Sequence, residues 1–192
     1  MKIGLFFGSF NPIHVGHLII ANYMAQHSDL EQIWLVVSPH NPLKDKKTLA
    51  RDRDRLNMIE LAIENNSRLR ASNIEFKLPQ PSYTVDTLAY LAEQYPQHEF
   101  ALIMGGDNLA SLHKWKNYEV ILARHLIYVY VRPEYALGGL ATHASVRLLH
   151  DVPQMQISAT FIRESIVQKK SIQYLVPDKV LRYIEESRLY KR

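Results

Sequence analysis

The sequence predicts an α/β fold in which a parallel sheet carries helices on both faces. Two observations support this prediction. From Lys2 to Leu149, short apolar runs typical of buried strands alternate with longer segments typical of helices. The first apolar run also ends in a glycine, a turn and the beginning of a helix, which is how α/β proteins build a phosphate site at the edge of the sheet.

The elements follow one another in a regular order. The predicted strands are Lys2–Phe7, Gln32–Val37, Arg70–Phe76, Phe100–Met104, Leu126–Val131 and Val146–Leu149. The predicted helices are Gly16–His27, Ala50–Glu64, Val85–Gln94, Asn117–Leu122, Ala159–Lys169 and Pro177–Ser187. We therefore expect a single domain over residues 1–192 with a Rossmann-like sheet, in which residues 159–192 form a small helical C-terminal portion.

Composition excludes several classes of function. The absence of cysteine excludes disulfides, thiolate catalysis and cysteine-based metal sites. No apolar run has the length of a membrane span, and the first residues do not resemble a signal peptide, so we expect a cytoplasmic protein without a membrane partner. The net charge of +4 suits anionic substrates such as nucleotides, but it is too small to predict nucleic-acid binding. Composition leaves the oligomeric state open.

The first predicted strand leads into the segment with the clearest chemistry. Gly8 allows a phosphate to approach the backbone, and the amides and dipole of the following helix attract it. His14 and His17 can donate hydrogen bonds and, when protonated, add positive charge to a phosphoryl group in transfer. Two histidines at this spacing also suit a metal pair or a structural turn. Their coincidence with a glycine and a turn at a strand end favours the phosphate site.

Residues 8–17 resemble the HxGH signature of the nucleotidylyltransferase superfamily, in which the α-phosphate of a nucleoside triphosphate is attacked and pyrophosphate leaves. The resemblance implies that His14 and His17 contact the triphosphate and stabilise the transition state. It also places Gly8, Ser9 and Phe10 in the ATP site. Ser9 stands where glycine is commoner in the superfamily, and the adjacent turn carries asparagine where aspartate is commoner.

A second segment, residues 157–163, has the sequence Ile-Ser-Ala-Thr-Phe-Ile-Arg. Ser158 or Thr160 can cap a helix, and Arg163 can bind phosphate oxygens, although an ordinary cap and a solvated arginine have the same pattern. The segment resembles the ISSTxIR motif of the same superfamily. The resemblance implies that Ser158 and Arg163 bind the β- and γ-phosphates, that Arg163 assists catalysis, and that Ile162 lies near the adenine.

Three further segments address the second substrate. In Ser82–Leu88, we predict Thr84 as a helix cap with exposed amides nearby that can receive a carboxylate, although plain capping explains the same residues. Gly105 and Gly106 follow a predicted strand, where glycine permits a ligand to approach. Asp107 can accept a hydrogen bond from a ribose hydroxyl or cap the next helix. Trp115 can stack on a flat ring or cover the edge of the core.

Together with residues 39–44, these segments resemble the bacterial nicotinate-nucleotide adenylyltransferases. The resemblance implies that Tyr83 and Thr84 hold the carboxylate of nicotinate mononucleotide and that Trp115 stacks on its pyridine ring. It also places Ser82 and Gly106 in the site of that nucleotide, and Gly105 and Asp107 in the ATP site. Arg132 then serves the mononucleotide phosphate, and Lys44 lies near phosphates. In the charged run from Lys44 to Arg55 we expect only Lys44 and Arg51 near a ligand and the other charges in solvent.

The implied reaction joins ATP and nicotinate mononucleotide into nicotinate adenine dinucleotide (deamido-NAD) and releases pyrophosphate, in NAD biosynthesis. We expect Mg²⁺ to be bound mainly by phosphates and water, with no metal site made by the protein. Phosphopantetheine adenylyltransferase would share the HxGH motif without needing the Ser-Tyr-Thr segment or Trp115. A non-catalytic nucleotide sensor would be expected to lack His14, His17 or Arg163, all of which are present.

Overall fold

The computed structural model describes residues 1–39, 48–132 and 136–191. Within these ranges the strands are β1 (Lys2–Gly8), β2 (Gln32–Val37), β3 (Leu69–Ser72), β4 (Glu99–Gly105), β5 (Ile127–Tyr130) and β6 (Val146–Leu149). The α-helices are α1 (Val15–His27), α2 (Asp52–Ile63), α3 (Thr84–Gln94), α4 (Gly106–Ser111), α5 (Tyr118–Arg124), α6 (Ala159–Val167) and α7 (Asp178–Glu186).

The described strands form one parallel sheet in the order β3-β2-β1-β4-β5-β6. The chain runs outward from β1 to β3, returns to β4 beside β1, and continues outward to β6. The strand order therefore reverses between β1 and β4, and in open parallel sheets ligands bind beyond the carboxyl ends of strands at such a point. The last residues of these two strands are Gly8 and Gly105, both of which we expected to approach a ligand.

Helices cover both faces of the sheet, as the alternating pattern predicts. Side chains from α1, α2, α6 and α7 share one buried cluster, to which they contribute Met24, Ile59, Ile162 and Ile184. Side chains from α3, α4 and α5 share the other cluster, to which they contribute Leu88, Leu109 and Ile121. Successive residues of β1 alternate between the two clusters, because neighbouring side chains of a strand point to opposite faces.

Two elements differ from the prediction. A strand over Arg70–Phe76 is wrong for its second half, because β3 ends at Ser72 and residues Ile74–Lys77 form a short 3-10 helix. The apolar residues Ile74 and Phe76 suggested a longer strand, but the 3-10 turn brings Glu75 inside, where it accepts a hydrogen bond from α3. Helix α4, which follows β4 directly, was not among the predicted helices.

The C-terminal helices pack onto the sheet. Val180 and Ile184 of α7 are buried in the cluster that α1 and α2 also line. The Tyr183 hydroxyl of α7 donates a hydrogen bond to Asp54 Oδ1 of α2 at 2.9 Å. The C-terminal helices therefore share a core with the sheet, while a single domain over residues 1–192 stays a prediction. Within the described residues, none of the helices combines the length and apolar character needed to cross a bilayer.

Candidate active site

A buried aromatic side chain shapes the turn between β1 and α1. Phe10 is 1% exposed and has a φ of 43°. Its ring centroid lies 5.9 Å from that of Phe6 and 5.1 Å from that of His17. A Cβ atom at Gly8 would lie 2.9 Å from the Phe10 ring, which is closer than side chains tolerate. Gly8 therefore makes room for this ring, and Phe10 can offer a ligand only its backbone. The close approach of a phosphate to Gly8 stays a prediction.

The two histidines of the turn lie against each other. Their rings stack with centroids 3.7 Å apart and an interplanar angle of 25°. His14 is 5% exposed, and burial lowers its pKa to about 4. In the ligand-free chain the His14 ring is therefore neutral at neutral pH and can act as a hydrogen-bonding group. Its buried Nδ1 atom has no hydrogen-bond partner among the described residues, so a neutral ring with one unused nitrogen faces the turn.

The buried His14 ring is expected to make folding stability depend on pH. The unfolded chain binds a proton near pH 6.5 and the folded chain only near pH 4, so the stabilisation is complete above pH 6.5 and is lost as the pH falls towards 4. The loss amounts to about 3 kcal/mol. In urea unfolding, the free energy of unfolding of wild type should fall by that amount between pH 7 and pH 4, relative to that of the His14→Gln variant. An unchanged difference would contradict a buried neutral His14.

The second motif reaches the first through its arginine. The Ser158 hydroxyl accepts a hydrogen bond from the Phe161 amide at 3.1 Å, which confirms Ser158 as the cap of α6. Arg163 donates from Nη1 to the carbonyl oxygen of Asn11 at 2.8 Å and from Nη2 to Thr160 Oγ1 at 3.2 Å. The guanidinium group therefore lies beside the turn that carries the histidines. Ile162, in contrast, is fully buried in the core, so its side chain does not face a ligand site.

The residues expected to select the acceptor meet at the beginning of α3. Tyr83 occupies the cap position and is 42% exposed, so the predicted cap at Thr84 is wrong by one residue. Lys116 Nζ lies 4.6 Å from the Tyr83 ring centroid and 2.9 Å from Asp86 Oδ2. These contacts place the segment that contains Trp115 beside Tyr83 and Asp86 at the beginning of α3. Trp115 is half-buried at the edge of the second core cluster, which leaves part of its ring accessible.

A third group lies at the ends of β4 and β5. A Cβ atom at Gly105 would lie 2.4 Å from Asp107 Oδ1 and 3.1 Å from the Tyr130 ring, so glycine is required there. The same Asp107 oxygen is buried and accepts no hydrogen bond from the described residues, as expected of an acceptor for a ligand hydroxyl. The Arg132 guanidinium lies 5.3 Å from the Tyr130 ring centroid, and that ring packs on Phe6 of β1. Gly106 begins α4 beside them.

Sequence reasoning missed the buried arginine beneath this site. Arg55 has 0% exposure, so the expectation that it lies in solvent is wrong, whereas the Arg51 side chain is 89% exposed and pairs with Asp54. Arg55 donates to five oxygens, the carbonyls of Ser9, Ser38, Pro39 and Ala50 and the carboxylate of Asp52. Its helical spacing from the buried Met58 and Ile59 was the available signal. Lys44 lies outside the described residues.

A buried carboxylate supports the acceptor side and was also missed. Glu75 is 3% exposed and accepts a hydrogen bond from Thr87 Oγ1 at 2.9 Å. Burial raises its pKa, while the neighbouring hydroxyls of Ser38 and Ser82 oppose that rise by stabilising the charged form. Glu75 thus lies between the end of β2 and the segment that carries Ser82. No sequence signal pointed to it, because it fell within a predicted strand.

Known proteins resemble this chain over most of its length. A family model described as cytidylyltransferase-like matches residues 5–165. A protein of Flavobacterium johnsoniae named probable nicotinate-nucleotide adenylyltransferase is 58% identical over 196 residues and covers 100% of both chains. A Cytophaga hutchinsonii protein of the same name is 54% identical over 190 residues, which cover 99% of this chain and 98% of that protein.

Solved structures share the fold. The Plasmodium falciparum nicotinic acid mononucleotide adenylyltransferase complexed with NaAD superposes with a TM-score of 0.81 and 20% identity. The alignment covers 98% of this chain and 97% of that one. A putative nicotinate-nucleotide adenylyltransferase from Vibrio parahaemolyticus gives a TM-score of 0.73 at 20% identity, over 100% of this chain and 96% of that one. Both comparisons confirm the Rossmann-like α/β fold.

Proposed function

Because the chain belongs to the nicotinate-nucleotide adenylyltransferases, a family of cytidylyltransferase-like proteins, we propose that it transfers the adenylyl group of ATP to nicotinate mononucleotide. The products are nicotinate adenine dinucleotide and pyrophosphate, and the reaction belongs to NAD biosynthesis. One observation carries the proposal for this site. Arg163 of the second motif donates a hydrogen bond to Asn11 in the first, so the two motifs expected to hold a triphosphate lie side by side.

In the proposed reaction, a 5′-phosphate oxygen of nicotinate mononucleotide attacks the α-phosphorus of ATP in line, and the bond to pyrophosphate breaks. The protein forms no covalent intermediate, so catalysis depends on positioning and on electrostatic stabilisation of the phosphates. His14 and His17 donate hydrogen bonds to the triphosphate at the beginning of α1. Arg163 and the amides at the beginning of α6, which Ser158 caps, bind the β- and γ-phosphates.

The acceptor would lie on the other side of the β1–β4 crevice. The first amides of α3 have no intrahelical acceptor, as at every helix N-terminus, and they can receive the nicotinate carboxylate beside Tyr83 and Thr84. Lys116 adds a positive charge there. The accessible part of Trp115 stacks on the pyridine ring, and Arg132 receives the mononucleotide phosphate. On the ATP side, Asp107, which follows Gly105, accepts a hydrogen bond from a ribose hydroxyl of ATP through its unpaired oxygen.

A divalent metal accompanies ATP in this family, and we propose that the ion is Mg²⁺. Among the described residues, no three His, Asp or Glu side chains come together as metal ligands. The donors present therefore fit an ion held mainly by phosphate oxygens and water, which is the usual environment of Mg²⁺. When bound, the ion neutralises charge on the phosphates. A cytoplasmic location, with access to ATP, is part of the same proposal.

The proposed function is tested by measuring pyrophosphate release from ATP with nicotinate mononucleotide and, separately, with nicotinamide mononucleotide. We expect turnover with the first and a rate at least about tenfold lower with the second, because an amide lacks the charge that the α3 amides and Lys116 attract. Equal rates would contradict the carboxylate-binding role of Tyr83 and Thr84. No turnover with either mononucleotide would contradict the proposed reaction itself. Phosphopantetheine, offered as a third acceptor, should give no product.

A further inference from the structure

A tyrosine near the C-terminus contacts the first motif across the whole length of the chain. Tyr190 follows α7, and its hydroxyl donates a hydrogen bond to Asn11 Oδ1 at 2.8 Å. Its ring packs against the core cluster that α1, α2, α6 and α7 line. Burial raises the pKa of the Tyr190 phenol, so the hydroxyl stays protonated and remains a donor at physiological pH.

The Asn11 side chain that receives this bond is held on three sides. Asn11 is 4% exposed. Its Oδ1 atom also accepts a hydrogen bond from the Ala50 amide at 3.0 Å, and its Nδ2 atom donates to the Thr48 carbonyl oxygen at 2.9 Å. An aspartate at this position would lack the donor to Thr48. The side chain amide therefore fixes the orientation of the residue whose backbone carbonyl meets Arg163.

Arg163 is thus the third member of a continuous chain of contacts. The Tyr190 hydroxyl binds the Asn11 side chain, and the Asn11 carbonyl oxygen binds Arg163 Nη1. A shift of the Tyr190 hydroxyl would release one constraint on Asn11 and let the guanidinium group turn away from the triphosphate.

We propose that Tyr190 is a positioning residue for adenylyl transfer, because it fixes Asn11 and through it the Arg163 guanidinium that binds the triphosphate. The inference rests on the proposed function, in which Arg163 contacts ATP. In this assignment Tyr190 acts on ATP only through Asn11 and Arg163. Its removal should therefore weaken productive ATP binding and leave binding of the acceptor nucleotide unchanged. A role limited to anchoring the C-terminal segment would instead lower stability, and it would not weaken the binding of ATP more than that of the acceptor.

The chain offers a matched control in Tyr183. Its hydroxyl also belongs to the C-terminal part, donates to Asp54 Oδ1 at 2.9 Å and accepts from Asn57 Nδ2 at 3.3 Å. These contacts join α7 to α2 without reaching the first motif. The Tyr190→Phe and Tyr183→Phe variants each remove one hydroxyl and keep the ring, so both should fold. They differ in whether the lost hydrogen bond reaches Asn11.

The experiment measures kcat, the KM for each substrate and the thermal unfolding midpoint of wild type and both variants. For Tyr190→Phe we expect kcat/KM for ATP to fall about tenfold, the effect of one lost buried hydrogen bond, with the acceptor KM within about twofold. For Tyr183→Phe we expect kcat/KM for ATP and the KM for the acceptor to stay within about twofold of wild type. ATP affinity is also measured by calorimetry without the acceptor, and it should fall for Tyr190→Phe alone.

Defined outcomes overturn the inference. Equal kinetics and equal ATP affinity in the two variants would show that Tyr190 only anchors the C-terminal segment. Parallel increases in the KM for both substrates would show a general disturbance rather than a route through Arg163. If wild type binds ATP but releases no pyrophosphate, the proposed function fails, whereas the calorimetric comparison of Tyr190→Phe with wild type still decides the inference. If wild type does not bind ATP, both fail.

Discussion

Replacing His17 with alanine is expected to lower kcat for pyrophosphate release by about 10²–10³-fold, the usual effect of removing one donor that meets developing charge. His17 lies in the first turn of α1, its ring stacks on His14 and packs on Phe10, and the helix dipole favours a phosphate at this end. Because the interaction strengthens in the transition state, kcat should change more than the KM for ATP.

The matched control for this prediction is His27→Ala. His27 ends the same helix, is exposed and stacks on Tyr23, so its removal tests the loss of an imidazole from α1 without touching the turn. We expect the control to keep kcat within about twofold of wild type. Circular dichroism should show both variants folded. Turnover of His17→Ala within a few-fold of wild type would contradict the catalytic role of the histidine pair.

The charge state of His14 limits what this ring contributes to catalysis. Because burial keeps His14 neutral at pH 7, that ring acts as a hydrogen-bonding group rather than as a cation. Positive charge in the described site comes from Arg163, Arg132 and Lys116, together with the partial charges at the helix N-termini. A neutral imidazole with a fixed donor costs no reorganisation when charge builds on the α-phosphate, which suits a site that works by electrostatic preorganisation.

The sequence predicts the local parts of this site well. The end of β1, the beginning of α1 and the cap at Ser158 depend on residues within a few positions of one another, so spacing and turn chemistry reveal them. The parallel sheet follows from the alternation of strands and helices. The supports of the site could not be predicted in the same way. Tyr190 and Asn11 are 179 positions apart in sequence, and no local pattern brings them together.

Buried charged residues were missed for a related reason. Charges in a run usually lie in solvent, and sequence alone does not show which member of a run faces the core. Burial of the Arg55 guanidinium group is favourable only because the ends of two strands present carbonyl oxygens to it. Burial of the Glu75 carboxylate is favourable because three hydroxyl-bearing residues surround it, one on α3 and two in neighbouring loops. In each case the partners are assembled by the tertiary fold.

The largest expected effect on stability is at Arg55. Arg55→Ala should lower the free energy of unfolding by about 3–5 kcal/mol, because four carbonyl oxygens lose a charged donor and a fully buried side chain leaves a cavity. The guanidinium is fully buried and joins the turn after β1, through the Ser9 carbonyl at 2.6 Å, to the end of β2, through the Ser38 carbonyl at 2.8 Å. Removing it leaves these oxygens unpaired and a cavity between the two strand ends.

Two further variants distinguish the hydrogen-bond network from charge alone. Arg55→Lys keeps the charge, but its compact ammonium offers three donors in place of the guanidinium fork, so it should recover only part of the loss. Arg53→Ala, at an exposed arginine on the same helix, should change stability by less than about 0.5 kcal/mol. Urea unfolding with a constant m-value measures all three variants. If Arg55→Lys matches wild type, or Arg55→Ala costs no more than Arg53→Ala, the guanidinium is not what joins the two strand ends, and the turn that carries the histidines must be held by other contacts.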